Sequence, residues 1–249
     1  MRFHHRDGIG LAVLAFAMVA AGSASAASCS LATLSGAYGL IASGLSQEGV
    51  STVAVDRFVA DGNGNLSGSG TQSGNGTIET VTFSGTYSVA SDCTGTVTAT
   101  NQSDQVSNYK FTLDTKNSQF AFIESDDGAN VSGEGIAIGT GTCGFTGAKE
   151  ILALNIKGNV SDGPLNVVGQ FILNGSGKLT ATVTSSENGT ITSDSVKGTY
   201  TSNSDCTGTA QIKGTNFKNN FASVSVNGGK ELLLVETDPT TTVAGIATQ

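Results

Sequence analysis

The chain has 249 residues, with 12 Lys or Arg against 20 Asp or Glu, a formal net charge of -8. That balance argues against nucleic-acid binding, which needs clustered cations against phosphate. The 34 glycines, together with abundant Ser, Thr and Asn, argue against long helices, while the length permits one large domain or two ordinary ones.

Residues 1–26 read as a secretory signal peptide. Arg2 and Arg6 make a basic start, Ile9 to Ala21 is an apolar run, and Ala24-Ser25-Ala26 is a small-x-small cleavage site. The run is shorter than the ~20 residues a membrane helix needs. No later segment could span a bilayer as a helix. Both histidines (His4, His5) and both methionines (Met1, Met18) lie inside this segment. Export to the periplasm or beyond follows, and with it an oxidising setting for the four cysteines. Ala26-Ala27-Ser28-Cys29 loosely resembles a lipobox, but lacks the aliphatic residue three places before the cysteine, and lipidation would leave Cys93 unpaired. A lipid anchor at Cys29 is therefore disfavoured.

The rest of the chain is one unit used twice, 27–140 and 141–249. Val55 to Thr96 aligns without a gap on Val168 to Thr209, with 20 of 42 positions identical. A period of this length means duplicated domains. Within each unit the apolar period is two: Val81, Phe83, Tyr87 and Val89 alternate with Thr82, Ser84, Thr86 and Ser88. In the first unit, turn signals such as Asp61-Gly62-Asn63-Gly64 and Asp126-Asp127-Gly128 punctuate about eight strands, beginning near 37, 51, 65, 80, 95, 108, 119 and 130. The expected fold class is all-β: two tandem antiparallel up-and-down barrels of about eight strands, closure removing the edges. Repeat symmetry pairs Cys29 with Cys93 and Cys143 with Cys206, one disulfide per barrel. In a meander these partners fall at the same barrel end.

The run Gly-Thr-Tyr-x(4)-Asp-Cys-Thr-Gly-Thr, at 85–96 and 198–209, follows a Phe-x(3)-Gly-x-Gly-x-Leu hairpin (Phe58 to Leu66, Phe171 to Leu179). It resembles uncharacterised exported bacterial proteins over nearly all of each unit, a resemblance that implies no activity. By strand count and length alone, each unit is similar in shape to calycin-type or allene-oxide-cyclase-like barrels.

Without histidine after residue 26, Ser-His-Asp and Cys-His catalysis and histidine metal ligation are excluded, and paired cysteines cannot hold zinc. Carboxylate chemistry remains, but Glu124 and Glu236 stand at equivalent places in separate units rather than as a dyad. The expectation is a protein that is not an enzyme and has no cofactor or metal. Phe122 with Glu124, and Leu234 with Glu236, share a strand face near the rim opposite the disulfide. They are the candidate residues for holding a small apolar or amphipathic ligand, although an exposed strand-end glutamate is the simpler account. Asp61 to Asn65 reads as a tight hairpin rather than a calcium loop, since Leu66 and Gln72 stand where an EF-hand needs Gly and Glu. Tyr87, Tyr200, Phe58 and Phe171 read as core. A porin is disfavoured by the disulfides and the absence of aromatic girdles. The rival role is a structural or adhesive surface protein, and protein partners are left open.

Overall fold

A chain of short alternating strands with apolar residues at every second position must find a second apolar surface, and here each eight-strand sheet closes on itself to do so. The computed structural model describes residues 28–114, 116, 118–141, 143, 149–215 and 217–249; the signal-peptide reading of 1–26 lies outside them. A 3-10 turn (Leu31–Thr33) precedes β1 (Ser35–Leu45), β2 (Ser51–Asp61), β3 (Asn65–Gly74), β4 (Thr77–Val89), β5 (Thr94–Asn101), β6 (Val106–Leu113), β7 (Gln119–Glu124) and β8 (Asn130–Ala137). The second unit contributes β9 (Glu150–Val160), β10 (Gly163–Leu173), β11 (Lys178–Glu187), β12 (Thr190–Ser202), β13 (Thr207–Lys213), β14 (Lys218–Val226), β15 (Glu231–Glu236) and β16 (Thr242–Thr248). Each set of eight is a closed antiparallel barrel in sequential order, with β1 pairing β8 and β9 pairing β16. Among the described residues no helix is long and apolar enough to cross a membrane.

The turn chemistry explains the registers. Asn75-Gly76 and Asn188-Gly189 join strands with φ of 47° and 81°, and of 46° and 83°. This is the left-handed pair that a two-residue type I′ hairpin needs. At the other end of β2, the Asp61 carboxylate accepts the backbone N–H of Asn63 at 2.7 Å and of Asn65 at 2.9 Å. A hydrogen bond from the Asn65 side-chain amide at 2.8 Å, and then those backbone bonds, hold it below the usual carboxylate range, and its oxygens are committed to the hairpin.

The disulfides join Cys29 to Cys93 and Cys143 to Cys206, with Cα atoms 5.0 and 4.4 Å apart. Each ties the entry to its barrel to the turn between that barrel's fourth and fifth strands. The Cys29 sulfur is thereby committed to Cys93. Above the first bridge, the Tyr87 hydroxyl donates to the carbonyls of Leu34 (2.7 Å) and Leu31 (3.1 Å), sealing that barrel end. Tyr87, Phe58 and Phe171 are buried and Tyr200 packs on the second core.

The barrels lie side by side. Outward residues of β2 and β8 (Val53, Val55, Ile136) pack on outward residues of β14 and β15 (Val224, Val226, Leu233, Val235) in one apolar cluster. Gly39 permits this approach: a Cβ there would stand 2.5 Å from Val226 Cγ1. Polar contacts stitch the seam. Arg57 Nε donates to the Asp205 carbonyl at 2.7 Å, Gly228 N–H to Ile138 O at 2.8 Å, and Thr240 N–H to Gly76 O at 3.1 Å. The Ser73 hydroxyl also donates to the Thr241 carbonyl.

Candidate functional site

The two barrels share a fold but differ inside. The second is filled: Leu152, Leu154, Ile156, Phe171, Val183, Val196, Ile212 and Leu234 form one buried cluster. A void in its interior measures about 20 Å³, room for a single water. The first barrel encloses about 940 Å³, the scale of a small-molecule pocket. Paired strands show why. Ala54 and Gly70 of the first barrel align with Val167 and Val183, and Ala99 with Ile212. Ala42, opposite Ala54, corresponds to Ile156, opposite Val167. Four small residues therefore stand where the second barrel has four branched ones.

The cavity has a closed apolar end and an open polar one. Toward the disulfide, Phe58, Phe111, Phe120 and Phe122 line it with Leu34 and Leu66. Phe120 meets Phe58, Phe111 and Phe122 at centroid distances of 6.0, 5.8 and 6.1 Å. Several of these rings lie over glycines on the neighbouring strand: Phe120 over Gly135, Phe122 over Gly133, Phe111 over Gly95. Large rings thus cover the wall without filling the lumen. The mouth is lined by the loop 46–50, by Gln72 and Glu79, and by Asn101, Ser103 and Gln105.

Asp56 is the central polar group. It faces inward from the middle of β2, between Ala54 and Phe58, and lines the cavity. Its carboxyl rests over Gly70, its partner on β3; a Cβ on Gly70 would lie 1.7 Å from Asp56 Oδ1. The second barrel reverses this pair, placing Val183 over Gly169. Among the described residues no hydrogen bond or ion pair reaches the Asp56 carboxyl. Burial pushes its pKa up to about 7, because a charge in this setting has lost water without gaining a partner. The carboxyl still faces the lumen, so it is enclosed by the wall yet half-buried rather than sealed.

Glu124 and Phe122 both line the cavity, as the strand-face reading expects. Glu124 is half-buried; burial and then Asp126 raise its pKa, while hydrogen bonds from Ser107 and Gln47 oppose the rise. Tyr109 pairs with it across β6 and β7, packs edge-on to Phe122 at 5.8 Å, and is pushed up to about 12 by burial and then by Glu124. Glu236 and Leu234 hold the equivalent places in the filled barrel. Glu236 is 2% exposed and accepts a 2.7 Å hydrogen bond from Asn219 Nδ2. Burial and then Asp238 raise its pKa to about 7, with Asn219 opposing. Repeat symmetry places both glutamates alike, but the second stands in the barrel whose branched residues pack into one buried cluster. Asp56 was not among the residues singled out from sequence. Its signal lay in the repeat alignment, where Asp56 faces Gly169 and Gly70 faces Val183.

No family model matches the chain, and neither does any curated protein. A solved structure similar to it is kievitone hydratase from Nectria haematococca, 6% identical, covering 86% of this chain and 89% of that one with a TM-score of 0.30. That structure is of a hydratase, against the expectation that this chain is not an enzyme, and the expectation is withdrawn on this chain's own chemistry. The physical error lay in setting carboxylate chemistry aside because Glu124 and Glu236 form no dyad, without weighing a single enclosed carboxyl. A carboxyl whose pKa burial brings to about 7 can hold or release a proton at neutral pH as a histidine does.

Proposed function

We propose that the first barrel binds a small amphipathic molecule, its apolar body against the phenylalanine wall and its polar end at Asp56 and Glu124. One observation carries this reading: of two barrels with the same strands and turns, one is emptied by Ala42, Ala54, Gly70 and Ala99 and has an unpartnered carboxyl facing the space. A carboxyl left without a partner destabilises the fold, and a cavity forfeits contacts that the filled barrel makes. A ligand supplies both. The second barrel acts as support. Export to an oxidising compartment belongs to the same reading and is supported by the two disulfides.

The test is uptake of the neutral fluorophore N-phenyl-1-naphthylamine, which brightens in an apolar site. The intact protein should bind it, and the variant Ala42→Ile/Ala54→Val/Ala99→Ile, which imports the second barrel's residues, should fold and lose it. Equal uptake by the filled variant would overturn the reading, and no uptake by either would favour the structural or adhesive role. Glu124→Gln should keep the fold and change the affinity, since this side chain lines the cavity.

A further inference from the structure

We infer that the molecule held in the first barrel carries a cationic group, an ammonium or its equivalent, which seats against Asp56. The inference rests on the binding reading above and adds the ligand's charge class. Three observations converge on it. First, the ionisable side chains that line the cavity are all acidic or phenolic: Asp56 within, Glu124 and Tyr109 on one wall, Glu79 and Glu48 at the mouth. No Lys or Arg is among them, so a carboxylate or phosphate ligand would meet like charge from several strands. Second, Asp56 lacks a hydrogen-bond or ion-pair partner among the described residues, and its seat over Gly70 fixes it facing the lumen. A neutral hydroxyl could bond the carboxyl but would leave its charge uncompensated. A cation supplies the missing counter-charge, and charge-assisted bonds are about twice as strong as neutral ones. Third, the rest of the wall is aromatic. Phe58, Phe111, Phe120 and Phe122 present π faces and edges, a surface that accepts an alkyl or aryl body and attracts a cation.

The same arrangement links binding to protons. The titratable groups that line the cavity with Asp56 are Tyr109 from β6, Glu124 from β7, Glu79 from β4 and Glu48 from the loop 46–50. None of them is cationic. Asp56 holds a proton up to about pH 7 in the empty barrel. An ammonium beside it favours the carboxylate, so the proton leaves to solvent as the cation enters. At neutral pH this amounts to about half a proton per molecule bound.

Three probes with one carbon skeleton separate the possibilities: 4-phenylbutylamine, 4-phenylbutanol and 4-phenylbutyrate, each displacing N-phenyl-1-naphthylamine at pH 7. The amine should bind about tenfold or more tightly than the alcohol, and the carboxylate more weakly than either. Asp56→Asn should level amine and alcohol while still taking up the neutral fluorophore. Calorimetry of the amine in buffers of different ionisation heat should show proton release that the same variant abolishes. Alcohol binding as tight as amine binding, or an amine preference that survives Asp56→Asn, would overturn the inference and leave the cavity reading intact. If the fluorophore itself does not bind, the cavity reading falls, and this inference falls with it.

Discussion

Asp56 offers a stability measurement whose sign is fixed in advance. In the unfolded chain its carboxyl titrates near 3.8, and in the folded barrel burial moves it to about 7. Between these values the folded state holds a proton that the unfolded state has released. Unfolding therefore releases a proton, and rising pH favours unfolding across that window. The ordinary paired carboxylate behaves oppositely. Integrated over the window, the raised pKa amounts to about 4 kcal/mol of stability present at pH 4 and lost by pH 8. Water reaching the carboxyl through the open mouth reduces this, so a swing of about 2 to 4 kcal/mol is expected. Asp56→Asn removes the titration. Its stability relative to the parent should rise by that amount between pH 4 and pH 8, or by about 5 to 15 °C in melting temperature. The difference between proteins is the informative quantity, because Glu236, also raised to about 7, is present in both and cancels. Urea unfolding followed by circular dichroism, with disulfides intact, measures it. A difference that stays flat across this range, or that shrinks as pH rises, would refute the assignment of Asp56 as an unpartnered enclosed carboxyl.

Two further predictions concern the closed end of the first barrel. Tyr87→Phe removes the donor to the carbonyls of Leu34 and Leu31, and should lower stability by about 1 to 2 kcal/mol in the same urea assay. Replacing Cys29 and Cys93 by serine opens a loop of 64 residues, and should lower stability by about 4 kcal/mol by loop-closure entropy. Peptide mapping of the unreduced parent should recover only Cys29–Cys93 and Cys143–Cys206.

The barrels were legible because everything that specifies them is shared by the two copies. Period-two patterning, Asn-Gly turns and the Cys pairs recur at offsets of 113 or 114 residues, and strand starts expected near 51, 65, 119 and 130 coincide with β2, β3, β7 and β8. The site was less legible for the complementary reason. A search for what the copies share leads to Glu124 and Glu236, and only Glu124 borders a large cavity. What distinguishes the interiors is side-chain volume at inward positions, and volume decides nothing until cross-strand partners are known. Ala54 is unremarkable in sequence; opposite Ala42 and two residues before Asp56, it is part of a void. The elevated pKa of Asp56 was likewise invisible, since composition records a carboxylate and only burial changes its proton affinity.

The unequal interiors also account for why the two units are pressed together along the strands they use. β2 carries Asp56 and Ala54 toward the cavity and, on alternate residues, Val53 and Val55 toward the second barrel. Its inner face lacks the packing that a filled barrel provides, and its outer face recovers apolar contact from Val224, Leu233 and Val235. At the mouth, the Asn75-Gly76 hairpin is braced from the same side by Thr240 and Thr241. The strand bearing the unpartnered carboxyl is therefore the one most firmly backed by its neighbour. A hollow barrel standing alone would have to hold that strand by hydrogen-bonded edges only, with a large gap on one side and water on the other. The pairing of unequal barrels resolves this: the one with the branched core backs the strand, and the other keeps its shape with less core volume.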